Sequence, residues 1–194
     1  PGDVIITNHP YESEGLATHM PDLHLVRPIF HNKRIVAYAW DFIHSADIGG
    51  GVPSSISPKF TDLFQEGLQI VPMKIVKAGV LNEDFLNFYR ANCRTPDVNL
   101  GDINAMLAAL RVAEKRVLGL IEQHGVSTLL QAQKDLVEYA GLKALNVQKT
   151  IPNGTYEFWD YLDDDYNSNI PVRVRCKMVV KDGFVHLDFT GSEI

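Results

Sequence analysis

Residues 19–47 read HMPDLHLVRPIFHNKRIVAYAWDFIHSAD, and the fold is decided there. Leu23 to Phe30 alternates as a strand does, and Ile35 to Ile43 is rich in Val, Ile, Tyr and Trp, the residues that suit a pleated surface. Asn32-Lys33 supplies the turn between them, so the stretch predicts a β-hairpin. Pro28 suits an edge position. The ends of this hairpin hold His19 and Asp22 on one side, His44 and Asp47 on the other.

Upstream, Val4-Ile5-Ile6 is a short strand-like run, with His9-Pro10 in a loop. Downstream, Gly49-Gly50-Gly51-Val52-Pro53 and the Ser/Pro cluster through Pro58 break both periodicities and read as loop. The middle of the chain is helical. Asn99 reads as an N-cap, and Leu100, Ile103, Leu107, Leu110, Val117 and Ile121 then recur mostly every three or four residues. Gly125 ends that helix and Ser127 caps a second, with Leu129, Leu130, Leu136, Val137, Ala140 and Ala144 on its apolar face. So short a link predicts an antiparallel helix pair, with Ile103, Leu107 and Leu110 against the second helix.

The last part reads as a meander. Thr155 to Leu162 is strand-like after Asn153-Gly154, and Val172, Val174, Cys176, Met178 and Val180 alternate with Arg173, Arg175 and Lys177. Asp182-Gly183 is a strong hairpin signal leading into Phe184 to Thr190. Strands, then helices, then strands predict an α+β fold rather than a repeating βαβ sheet. The expected parts are a β and loop region with the site over 1–98, a helical hairpin over 99–150 and a β-meander over 151–194.

Composition narrows the function. With 18 Lys+Arg against 24 Asp+Glu in 194 residues, the net charge is −6 and no basic stripe forms, which argues against nucleic acid. No apolar run approaches the ~20 residues that cross a bilayer, so no membrane partner is expected. Cys93 and Cys176 stand far apart and outside any C-x-x-C pair, which fits reduced thiols and a cytoplasmic protein. Strand-like runs close to both ends suggest an internal piece of a longer subunit.

Chemistry concentrates in His-x-x-Asp, written twice as His19-Met20-Pro21-Asp22 and His44-Ser45-Ala46-Asp47. Pro21 disfavours a helix, so the first pair sits on a turn. A hairpin over Leu23–Ile43 brings His44 beside His19 and Asp22. Two imidazoles and a carboxylate suit Zn, Mn or Fe(II), with positions left for catalysis. Asp47 is the candidate to orient a ligand or accept a proton. The alternative is that these loop residues cap turns and face solvent.

Weaker features have simpler readings. His24, His31, His124 and His186 read as structural or solvated, and His9 stays open. The triple glycine offers backbone N–H groups to an anion but lacks the ending of a P-loop, so sharp loop geometry explains it better. Ser54 and Ser55 lack a nucleophile elbow. Asp163-Asp164-Asp165 lacks the spacing of a calcium loop and reads as a solvated turn.

Taken together, Asn8-His9-Pro10-Tyr11, Thr18-His19-Met20-Pro21-Asp22, His44-Ser45-Ala46-Asp47-Ile48-Gly49-Gly50, Gln65-Glu66-Gly67-Leu68, Ala91-Asn92-Cys93-Arg94-Thr95-Pro96, Pro152-Asn153-Gly154-Thr155-Tyr156 and Asp188-Phe189-Thr190-Gly191 resemble the hydantoinase B family. That family includes the B half of 5-oxoprolinases and the related alpha subunits of acetone- and acetophenone-type carboxylases. The resemblance implies that His19, Asp22 and His44 are metal ligands. It also implies a hetero-oligomer with a hydantoinase A-type subunit or domain that binds ATP. Two departures, His9 in place of the usual Asp and Glu14-Gly15-Leu16-Ala17 in place of the usual Gly-Gly before Thr-His, fall on the loop expected to touch substrate. His44-Ser45-Ala46-Asp47 is closer to the hydrolase pattern, which implies ATP-dependent opening of a cyclic amide. The alternatives are ATP-dependent carboxylation of a ketone and a non-catalytic structural or binding subunit.

Overall fold

The β-branched run Val4–Thr7 forms strand β1, and the quoted hairpin forms β2 (Asp22–His31) and β3 (Arg34–His44). Asn32 and Lys33 both take positive φ, as the tightest hairpin turns require. The computed structural model describes residues 1–193. It divides them into two units, Pro1–Leu129 and Leu130 onward.

In the first unit the hairpin joins a five-stranded antiparallel sheet of order β3-β2-β1-β4-β5, completed by β4 (Met73–Lys77) and β5 (Val80–Leu81). Strand β2 is therefore interior, where Pro28 is unexpected. The register resolves this: β1 pairs with β2 only from His24 to Val26, so Pro28 has a strand neighbour on one side alone, across from Tyr38.

Two helices lie wholly in this unit. Helix α1 (Glu83–Asn92) is capped by Asn82, whose side chain accepts from the Phe85 N–H, and it buries Phe85, Leu86 and Tyr89. The sequence reading missed it, although Asn82 followed by Glu83 and Asp84 is an acidic first turn behind a good cap. Helix α2 (Pro96–His124) starts three residues before the expected cap. Pro96 fits the first helical turn, where no N–H is needed. Asn99 lies inside the helix, fully buried, and its amide donates to the Asp47 backbone carbonyl.

The apolar face of α2 is the one expected, but its partner is different. Ile103, Met106, Leu107 and Leu110 are buried, and α2 lies on β2 and β3. Arg27 of β2 and Glu114 of α2 add an ion pair at 2.6 Å. The physical reason is area: Leu23, Leu25 and Ile29 on one sheet face need a cover, and burying each such side chain contributes about 1.5–3 kcal/mol. The helix face thus lies against the sheet.

Helix α3 (Val126–Gln148) follows Gly125, so Ser127 lies within it, and α3 has no buried residue. The second unit holds most of α3 and a three-stranded antiparallel sheet in the order β6 (Gly154–Leu162), β7 (Val172–Lys181), β8 (Phe184–Asp188). This is the expected meander, turned at Asp182-Gly183, and both turn residues have positive φ. Asn153 and Asp182 exchange hydrogen bonds at the base of the sheet. Among the described residues no helix is long and apolar enough to cross a membrane. Helices and antiparallel sheets segregated along the chain make the fold α+β.

Candidate metal centre

The site lies where the hairpin opens. Pairing of β2 with β3 begins at Asp22 opposite His44, so the backbone itself sets these two side by side. Just before Asp22 the chain turns, with the Asp22 N–H donating to the His19 carbonyl at 3.2 Å, which folds His19 back toward its neighbour. His19 Nδ1 stands 3.4 Å from Asp22 Oδ2, and the His19 and His44 ring centroids are 5.1 Å apart. One potential ligand atom from each of His19, Asp22 and His44 lies within 4.8 Å of the others.

Donors bound to one ion at about 2.1 Å stand roughly 3–4 Å apart, so side-chain rotations alone would close this set. The chemistry of the donors fits a borderline divalent ion. His44 is exposed and the other two are half-buried, which leaves the open side that added ligands need.

The turn itself is tied down from three directions. Met20, between the two ligand positions, has its N–H on Glu66 Oε2 at 3.0 Å and its carbonyl on Asn8 Nδ2 at 2.7 Å. Asn8 is completely buried and also binds the Leu68 carbonyl and the Ile70 N–H. On the other strand, the Ser45 N–H donates to the Pro21 carbonyl at 2.7 Å, and Ser45 Oγ meets the Tyr89 hydroxyl at 3.2 Å. Burial pushes the Tyr89 phenol well above its usual range, so it serves as a neutral hydrogen-bonding group.

Asp47 is engaged elsewhere. Its carboxylate accepts from the N–H groups of Gly49 and Ser54, at 2.8 and 2.9 Å, and from Arg94, whose guanidinium is 3.0 Å away. Burial opposes its charge, yet the hydrogen bonds from Gly49, Arg94 and Ser54 together outweigh that and hold the carboxyl below its ordinary value. A carboxylate so saturated is a weak proton acceptor and a strong loop anchor. Arg94 continues the stitching to the carbonyls of Gly49 and Val52, both at 2.9 Å.

The remaining candidates have structural partners. His9 Nδ1 accepts from the Glu12 N–H and closes a turn, and Ser55 Oγ bridges the Ile48 N–H and the Gly49 carbonyl in the interior. His24 is buried beneath Trp40, which donates to its Nδ1. The triple glycine serves close approach: Gly51 N–H donates to the Gln65 carbonyl, bringing that loop onto the segment carrying Glu66. Next to His19 opens a 310 Å³ pocket lined by Ser55, Ile56, Ser57, Phe60 and Glu66. Sequence reasoning gave Asn8 and Glu66 no individual role, since a lone loop Asn or Glu carries no spacing signal.

The Hydantoinase B/oxoprolinase family profile matches residues 1–194. The chain belongs to that family. This hydantoinase B chain is 36% identical over 190 residues to an uncharacterized protein of Methanocaldococcus jannaschii, covering 98% of this chain and 32% of that protein. It is 28% identical over 217 residues to 5-oxoprolinase 1 of Arabidopsis thaliana, covering 98% and 17%. Among solved structures, the ATP-dependent caprolactamase of Pseudomonas jessenii matches with a TM-score of 0.88 at 26% identity, covering 96% of this chain and 32% of that one. A nucleotide-free acetone carboxylase shares the fold, with a TM-score of 0.86 at 21% identity over 98% and 26%. The chain spans about a third of the length of the Methanocaldococcus relative and of the caprolactamase chain.

Proposed function

We propose that this hydantoinase B chain is the metal-bearing part of an ATP-dependent hydrolase that opens cyclic amides such as hydantoins, 5-oxoproline or lactams. The observation that carries the proposal is the meeting of His19, Asp22 and His44 at the mouth of one hairpin. The family shown above and its caprolactamase and 5-oxoprolinase relatives support the substrate class.

A cyclic amide is a poor electrophile near neutral pH. A hydantoinase A-type partner that transfers a phosphoryl group from ATP to the amide oxygen converts it to an imidate, with ADP released. Water then adds to that carbon, the C–N bond of the adduct breaks to leave an acyl phosphate and the protonated amine, and a second water hydrolyses the acyl phosphate to carboxylate and phosphate. A Zn, Mn or Fe ion bound at this centre supplies Lewis-acid polarisation and lowers the pKa of water there. His19, Asp22 and His44 hold it, Glu66 and Asn8 keep the His19–Asp22 turn in place, and the pocket walled by Ile56 and Phe60 admits the small ring beside His19. Asp47, through Arg94, fixes the loop that follows β3.

The test combines the full-length subunit with its ATP-binding partner and assays cyclic amides and ketones with and without bicarbonate. Ring opening that needs ATP but not bicarbonate is the expected result. Bicarbonate-dependent carboxylation of a ketone would replace hydrolysis with the carboxylase reading. Turnover unchanged by stripping the metal would remove both, and no turnover with any pairing would leave a binding subunit.

A further inference from the structure

The Met20 peptide lies between two of the three ligand positions and cannot enter the sheet, because β2 pairing starts only at Asp22. Its side chain is wholly buried. A buried N–H left without an acceptor costs about 1–3 kcal/mol, so the turn needs a partner from elsewhere in the chain. Glu66 Oε2 provides it across 46 residues of sequence.

The position of Glu66 is itself determined by close backbone packing. Asp62 and Gln65 form a capping box around the short 3-10 turn Leu63–Gln65 that ends at Glu66. Beyond it, the Gly51 N–H donates to the Gln65 carbonyl at 2.8 Å and the Leu68 N–H to the Ile48 carbonyl at 2.9 Å. Gly50 sits at φ +76°, and a Cβ there would fall 2.7 Å from the Glu66 carbonyl carbon and 2.8 Å from the Gly67 nitrogen. The glycine run after β3 therefore sets the backbone that carries Glu66, and Glu66 sets the turn before β2. Both approaches to the metal centre are coupled through one carboxylate.

We infer that Glu66 is a positioning residue for the metal centre, holding the His19–Asp22 turn by accepting the Met20 N–H. This rests on the metal reading of His19, Asp22 and His44. Groups that orient ligands from behind are worth about 10–100-fold in metal affinity. Glu66→Ala removes the acceptor, whereas Glu66→Gln keeps one in its amide oxygen.

The experiment measures Zn²⁺ affinity by calorimetry for the full-length wild type and both variants, with hydrogen exchange at the Met20 amide followed in metal-free protein. The expected result is a loss of about 10–100-fold for Glu66→Ala with faster Met20 exchange, and rescue to within about threefold by Glu66→Gln. Wild-type affinity and unchanged Met20 exchange in Glu66→Ala would overturn the inference. Equal losses in the two variants would overturn it in favour of a role for the negative charge. Wild-type protein that takes up no metal would overturn the metal reading instead, and Met20 exchange would then report separately on whether Glu66 holds the turn.

Discussion

Asp22 and His44 face one another across the β2–β3 ladder as the residue pair at its open end. Because neighbouring residues of a strand point to opposite faces, a slip of one residue would send one of the pair to the other side of the sheet. The ladder therefore fixes the meeting of carboxylate and imidazole, and the turn before Asp22 adds His19.

Replacing His44 with Ala tests this arrangement most directly. His44 is exposed, so the variant is expected to fold with wild-type cooperativity. Two remaining donors chelate poorly, and elemental analysis after dialysis is expected to show metal content falling well over tenfold. Full metal content in folded His44→Ala protein would disprove the ligand assignment.

Gly50 and Gly119 make an instructive contrast. A Cβ at Gly50 meets backbone and the residue has positive φ, while one at Gly119 within α2 meets nothing within 4 Å. Gly50→Ala is expected to destabilise by about 2 kcal/mol or more, and Gly119→Ala to stabilise by about 0.5–1 kcal/mol. Urea unfolding of both variants checks the opposite signs.

Asp47 carries a pH signature. Its folded carboxyl titrates below the usual carboxylate range. The unfolded chain therefore takes up the proton first as pH falls, and the stability Asp47 contributes is complete above about pH 5 and is lost as pH drops through the folded value. Asp47→Asn is expected to cost about 2–3 kcal/mol at neutral pH, because the Arg94 guanidinium and three backbone N–H groups lose a charged acceptor. The gap between the two proteins should begin to narrow below about pH 4, and a gap constant from pH 7 to pH 3 would show that the titrating group is another.

Helix α2 is expected to respond as a cover for the sheet. Leu107 is buried, so Leu107→Ala should cost about 2–5 kcal/mol. Leu136 on α3 is 67% exposed, so Leu136→Ala should stay within about 0.5 kcal/mol. Thermal or urea unfolding of the two variants checks the ranking, and equal costs would return the helix-pair packing.

What the sequence determined by itself was whatever depends on neighbours along the chain. Alternation made the hairpin and the meander legible, apolar recurrence marked the buried face of α2, and His-x-x-Asp with Pro21 marked a turn carrying two donors. The return of His44 followed from the hairpin length alone. What only the tertiary structure decided was which surfaces meet. Periodicity tells that Ile103, Leu107 and Leu110 share a face, but the sheet and a second helix are equally apolar covers, and only packing chooses between them. In the same way a lone Glu66 or Asn8 carries no pattern, and the pattern that contains Asp47 says nothing of the loop it anchors. Their roles come from hydrogen bonds that span 46, 12 and 47 residues, and those exist only once the loops have closed on one another.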